Sequence, residues 1–67
     1  MSKKFEIDLF TWKFPEGIPF DTITVEIEPS SFHKDEDLVT LKLFEDICPN
    51  GVTSNGTPID DIEVRPI

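Results

Sequence analysis

Carboxylates at alternate positions are the residues of this sequence whose types and spacing most clearly suggest a binding chemistry. Side chains two apart on a β-strand point to the same face and lie about 6.8 Å apart. That spacing resembles the separation of successive phosphates along a nucleic-acid strand. We therefore predict an acidic face that could occupy the basic groove of a DNA- or RNA-binding protein and act as a nucleic-acid mimic. The predicted face consists of Glu6, Asp8, Glu26, Glu28, Asp61 and Glu63.

A simpler interpretation of the same carboxylates is a solvated sheet face that keeps a small protein dissolved. Like charges placed opposite each other across strands destabilise a sheet. An acid-rich face therefore lowers stability unless the strand registers separate its charges, and a binding function would explain why the chain carries it.

A second candidate is an aromatic patch formed by Phe10, Trp12 and Phe14, with Phe20 nearby in the sequence. If these rings are exposed, they form a docking surface, because Trp and Phe commonly anchor protein interfaces. Trp12 could instead stack on a sugar or another small molecule. The alternative is that the rings cover the end of a thin hydrophobic core.

Catalytic and metal chemistry find little support in the sequence. The segment 33–37 contains one histidine and three acids, but consecutive loop residues rarely converge on one ion. The segment 46–51 resembles the first half of a calcium loop, but Cys48 stands at the third position, where an oxygen ligand is needed. Thr57 stands at the twelfth position, where a calcium loop has a carboxylate. Cys48 and His33 would form a nucleophile and base, yet no third group is indicated. We predict no catalytic residue, no metal and no cofactor.

The elements that must position these residues are indicated by alternation of apolar and polar side chains. It runs through residues 5–9, 23–28 and 39–43, and it predicts strands beginning near Lys3 and covering about 22–28, 38–44 and 60–65. Around Leu9 and Phe10 the alternation changes phase, which predicts a β-bulge or a strong bend. A helix over 38–47 is rejected because its apolar residues would be scattered around the helix axis.

The connections are rich in Pro, Gly, Asn and Ser. Between Pro29 and Asp37 we expect at most one short helical turn, near residues 30–36, capped by Ser30 or Ser31 with Phe32 packed beneath it. The two Asn-Gly pairs predict tight turns with positive φ. The predicted fold is a mainly β single domain, residues 1–67: one small antiparallel sheet or partly open barrel of four to five short strands.

Charge and composition limit the partners. The chain has 67 residues and a formal net charge of −8, so it should be repelled by nucleic acid and by anionic membranes. Its start has no apolar run typical of a signal peptide, and the lone Cys48 suits a reducing compartment, so we expect a cytoplasmic location.

The function predicted from the sequence is a small, acidic, non-enzymatic protein-binding module, an inhibitor or accessory factor. Its partner would be a protein, with a basic nucleic-acid-binding protein as the sharpest version, and it would bind neither nucleic acid nor membrane directly. One alternative is a structural domain that forms a homodimer or serves as a minor subunit of a larger assembly. Another is a small-molecule or sugar binder that uses Trp12.

Overall fold

The structure, a computed structural model, describes residues 1–67. Its regular elements, in chain order, are β1 (Lys3–Phe10), β2 (Asp21–Ile27), α1 (Asp35–Lys42) and β3 (Asp61–Pro66). A π-helical turn, Leu43–Ile47, continues α1, and a short 3-10 turn, Pro49–Gly51, follows it. The strands form one sheet in the order β2-β1-β3, with β1 antiparallel to both neighbours. No helix combines the length and apolarity that crossing a bilayer would require.

The hydrophobic core lies between one face of the sheet and the helical segment. Alternation places Phe5, Ile7 and Leu9 of β1 on this face together with Val25 and Ile27 of β2, and all five are buried. Val39, Leu43 and Cys48 cover them from the other side. The opposite face of the sheet has no layer over it, so the polar side chains of all three strands remain at the surface.

The strand predicted over 38–44 is wrong, because this segment is helical. Val39 and Leu43 are four residues apart, lie on one face of a helix, and are both fully buried. The predicted strand would place Leu41 on the same apolar face, but Leu41 is 52% exposed. The acids at 35–37 occupy the first turn of α1, where they interact favourably with the helix dipole. Local alternation suggested a strand here, whereas the acidic start and the four-residue spacing specify the helix.

Because this segment is helical, the sheet has three strands rather than four or five, and it does not close into a barrel. The small antiparallel sheet itself is present, and the three strands predicted near its beginning, middle and end all form. The short extended piece at Val52 makes only a single isolated bridge with Pro58. The chain is therefore a two-layer arrangement of a sheet and one short helical segment.

At the end of β1 the chain bends, and the strand contains no bulge. Its pairing with β2 runs in one continuous register from Lys3 to Leu9, and its pairing with β3 continues to Phe10. The chain then turns, with the Phe14 amide donating to the Thr11 carbonyl at 3.1 Å. A second turn follows in which Gly17 adopts φ of +83°, a conformation that glycine adopts readily. The change of phase in the sequence therefore marks the end of a strand.

The connection before α1 differs from the prediction. The helix begins at Asp35 and continues to Lys42, so it is longer and later than a single turn near residues 30–36. Ser30 Oγ does accept a hydrogen bond from the Phe32 amide, at 3.1 Å, but in an exposed bend. Phe32 is 88% exposed and packs beneath nothing. Asn50 and Gly51 both have positive φ, as the first Asn-Gly pair predicted.

Candidate functional site

The uncovered face of the sheet, called the open face below, brings together the carboxylates predicted from the sequence. The register places Glu6 opposite Thr24 and Arg65, and Asp8 opposite Thr22 and Glu63. Since side chains alternate along each strand, these residues point away from the core, and the remaining predicted acids share their parity. Those further acids are Glu26, at the end of β2, Glu28, just beyond it, and Asp61 and Glu63 of β3.

Arg65 partly compensates the negative charge at the centre of the open face. Its Nη2 lies 2.6 Å from Glu6 Oε1 and 2.9 Å from Asp8 Oδ1. Asp8 Oδ1 also accepts a hydrogen bond from Thr22 Oγ1 at 2.9 Å, and the Asp8 side chain is only 13% exposed. The carboxylates therefore do not form an uninterrupted acidic row, and the free negative charge lies toward the margins of the face.

One margin lies along β2, where the acids have partners within the chain. Glu26 Oε2 accepts a hydrogen bond from Ser2 Oγ at 2.7 Å, and its main-chain carbonyl accepts one from Lys42 Nζ at 2.8 Å. Glu28 Oε2 lies 3.6 Å from the Met1 amino nitrogen. Cationic groups are thus already present along this margin.

The other margin, at the beginning of β3, meets the predicted aromatic patch. Phe10, Trp12 and Phe14 line one open groove of about 790 Å³, called the aromatic groove below. Trp12 is 73% exposed and Phe14 is 47% exposed, while Phe10 is half-buried. Phe14 also contacts Phe20, with ring centroids 6.1 Å apart. Phe20 packs against the core, whereas the three rings of the patch lie outside it, so the patch is mainly an accessible surface.

Four carboxylates line the aromatic groove, and no basic side chain does. They are Glu16, Asp60, Asp61 and Glu63. None of them belongs to an ion pair, since the four ion pairs of the chain involve other acids. Lys13 follows Trp12 in the chain, and its Nζ lies 5.6 Å from the centroid of the Trp12 ring. The structure thus joins two sets of residues that appeared separate in the sequence, Phe10, Trp12 and Phe14 with Asp61 and Glu63.

Hydrogen bonds to Asp60 fix the loop that carries Trp12. The Trp12 amide donates to Asp60 Oδ2 at 2.6 Å, and the Asp60 amide donates to the Phe10 carbonyl at 2.9 Å. A hydrogen bond to an ionised acceptor is stronger than one between neutral groups. These two bonds attach the end of β1 to the start of β3, so the aromatic side chains and the carboxylates are held on one scaffold.

Thr11 also lines the aromatic groove and is buried, with 6% of its surface exposed. Its Oγ1 is the one buried side-chain nitrogen or oxygen of the chain that lacks a hydrogen-bond partner. An unpaired buried hydroxyl is unfavourable, and most such groups in proteins find a partner. One hydroxyl in the wall of the groove is therefore unpaired, although it is enclosed by the protein.

The residues considered for catalysis lie elsewhere. His33 is exposed in the connection before α1, whereas Cys48 is buried against the core. Burial, with a smaller contribution from the Asp21 carboxylate, raises the pKa of the Cys48 thiol. The thiol therefore remains protonated and weakly nucleophilic at neutral pH. No group of three or more His, Cys, Asp or Glu side chains is arranged to hold a metal ion.

Three residues of the aromatic groove were missed in the sequence: Thr11, Glu16 and Asp60. Asp60 reaches the groove through the pairing of β1 with β3, whose residues are more than fifty positions apart in the chain. Thr11 and Glu16 are close in sequence to Trp12 and Phe14, and this proximity was the local sign of their place in the groove. Comparisons with protein-family models, with curated proteins and with solved structures found no match.

Proposed function

We propose that this chain is a non-enzymatic protein-binding module that recognises a basic partner. The observation that carries the proposal is the aromatic groove, where exposed rings adjoin four carboxylates that lack ion-pair partners. Aromatic side chains supply contact area at protein interfaces, and unpaired charge at the margin steers and selects a partner of opposite sign. An inhibitor or accessory factor is the role that suits a binding surface of this kind on a small domain.

The position of Arg65 favours a local docking site over imitation of a nucleic acid. A mimic would present repeated carboxylates, but Arg65 pairs with two acids at the centre of the open face. Four acids without ion-pair partners lie instead beside the aromatic rings, where charge and apolar surface occur together. We therefore place the main contact at the aromatic groove, with the rest of the open face contributing long-range attraction.

The β3 edge of the sheet favours docking on the face over strand pairing at this edge. The Ile67 amide donates to the Lys4 carbonyl, so it points toward β1. Because successive amides of a strand point to alternate sides, the amides of Ile62 and Val64 point away from β1. The Ile62 amide already donates to Asp61 Oδ1, and Pro66 has no amide proton. Charges and proline on an edge strand discourage strand addition. These features weigh against a homodimer formed by pairing of two β3 edges.

We also propose residence in a reducing compartment, the cytoplasm, because the one cysteine is a free thiol. In that setting the partner would encounter the chain at moderate salt. Attraction between exposed charges is screened over about 8 Å at physiological ionic strength, so the contact should depend strongly on salt.

A capture experiment with charge variants tests the proposed function. The immobilised chain is exposed to host extract at about 50 mM and about 300 mM NaCl, a range over which screening increases strongly. A D61N/E63Q variant removes two groove carboxylates. E45Q/D46N is a matched control, which removes two exposed acids of the π-helical turn after α1. A basic protein should be captured at low salt and lost at high salt and with the groove variant, but retained by the control.

The proposal is wrong if every captured protein resists salt and binds the groove variant as well as the original chain. Loss of capture with both double variants alike would mean that only net charge matters, which contradicts a localised site. If a DNA duplex displaces the captured protein from the chain, the partner uses its nucleic-acid surface, and the mimic version of the function gains support.

A further inference from the structure

The aromatic groove has the chemistry to bind one particular side chain. It combines flat apolar surfaces with several carboxylates, whereas a purely apolar groove would select only hydrophobic partners. The acceptors are available, because Asp60 and Asp61 each use one carboxylate oxygen in a hydrogen bond to a main-chain amide. Glu16 and Glu63 have neither a hydrogen bond nor an ion pair, so the groove has spare acceptors on several sides.

We propose that the aromatic groove binds an arginine side chain of the basic partner, an inference that rests on the proposed function. The guanidinium group is planar, stacks on aromatic faces, and donates hydrogen bonds in a fork that fits carboxylates. The ammonium group of lysine is compact and more strongly hydrated; it can lie over a ring, but it lacks the planar fork that stacks on the ring and donates to carboxylates at the same time. The groove therefore discriminates between the two basic side chains.

Two further observations point to this occupant. Lys13 Nζ lies 5.6 Å from the Trp12 centroid, within the range of a cation–π contact, so a cationic side chain fits over this ring. Thr11, more than nine-tenths buried, stands in the groove wall with an enclosed hydroxyl that has no hydrogen-bond partner. A change of the Thr11 rotamer on binding would turn this oxygen toward the groove as an acceptor for a guanidinium N–H.

The chain carries its own reporter for the test. Trp12 is its one tryptophan and there is no tyrosine, so fluorescence reports on the groove itself. Three capped pentapeptides of glycine with arginine, lysine or citrulline at the centre serve as probes. Citrulline keeps the shape of arginine but has no charge. The titrations are done at low salt with the full chain.

The arginine peptide should give a saturable change in Trp12 fluorescence. The lysine peptide should bind with a Kd about two- to fivefold higher, as expected for loss of stacking at an exposed site. The citrulline peptide should not saturate. E63Q and D61N should each raise the Kd for the arginine peptide, and F14L should raise it while keeping the apolar contact with Phe20. E45Q, which removes one acid elsewhere, should leave it unchanged.

The arginine proposal is overturned if lysine binds as tightly as arginine, if citrulline binds equally, or if E63Q and F14L have no effect although both variants unfold cooperatively and are folded at the temperature of the titration. It is separable from the proposed function. If D61N/E63Q abolishes capture of the partner but the peptides show no preference for arginine, the docking site stands and the arginine assignment is wrong.

Discussion

Asp8 and Glu63 show how a single pair of side chains links stability to binding. They lie directly opposite each other on β1 and β3, and like charges in this position destabilise a sheet. Arg65 compensates Asp8 at 2.9 Å, but Glu63 has no partner. An unpaired acid next to a partly buried one is unfavourable for folding, whereas at the margin of the aromatic groove it is useful for attracting a cation.

Replacing Glu63 with Gln should therefore make the chain more stable. We expect the free energy of unfolding in urea to rise by a few tenths of a kcal/mol, the usual size of a cross-strand charge effect, with a smaller gain in high salt. The same substitution in Glu45, which faces no acid across a strand, is the comparison. A decrease in stability for E63Q would contradict this expectation, because it would show that the Glu63 carboxylate makes a favourable contact in the folded chain.

The helical segment shows where a short sequence pattern conflicts with a longer one. Over residues 39–43 the apolar and polar side chains alternate as in a strand, yet the helix buries Val39 and Leu43 and leaves Leu41 at the surface. At the end of α1 the chain enters a wider turn, in which the Cys48 amide donates to the Leu43 carbonyl five residues earlier, at 2.7 Å. This turn places Cys48 in the core beside Leu43.

Alanine substitutions distinguish the helix from the predicted strand. Truncation of Val39 or Leu43 should lower the free energy of unfolding by about 2 kcal/mol or more, because each leaves a cavity in the core. Truncation of Leu41, which is exposed, should change it by less than about 0.5 kcal/mol. Thermal or urea denaturation provides the values. Equal large losses for all three would restore the strand, in which they would share one buried face.

The sequence was informative wherever local pattern and tertiary environment agree. In β1 and β2 the alternating residues face a single core, so the strands and the shared face of Glu6, Asp8, Glu26 and Glu28 could be predicted. In the helical segment, packing against the sheet decided the structure and alternation misled. The aromatic groove could not be predicted, because Trp12 meets Asp60 and Glu63 only through a pairing between distant parts of the chain.

Considered as a whole, the molecule is a thin sheet with one covered and one uncovered side. The helical layer covers one face. The net charge of the whole chain, −8, is distributed over an extended shape of 37 × 21 × 16 Å. Arg65 compensates part of the negative charge at the centre of the open face, and the amino terminus lies near Glu28 just beyond the end of β2. Four carboxylates without ion-pair partners adjoin accessible aromatic rings at one corner, where β1 ends and β3 begins.

NMR spectra of the isotopically labelled chain test whether that corner is the docking site. A bound partner shifts the backbone amide signals of the residues that it contacts. With the arginine peptide, or with the protein captured from extract, we expect NMR shift changes confined to residues 10–17 and 60–63 and reduced by added salt. Changes centred on residues 26–28 and 41–46, or spread evenly over the open face, would contradict a localised site at the aromatic groove.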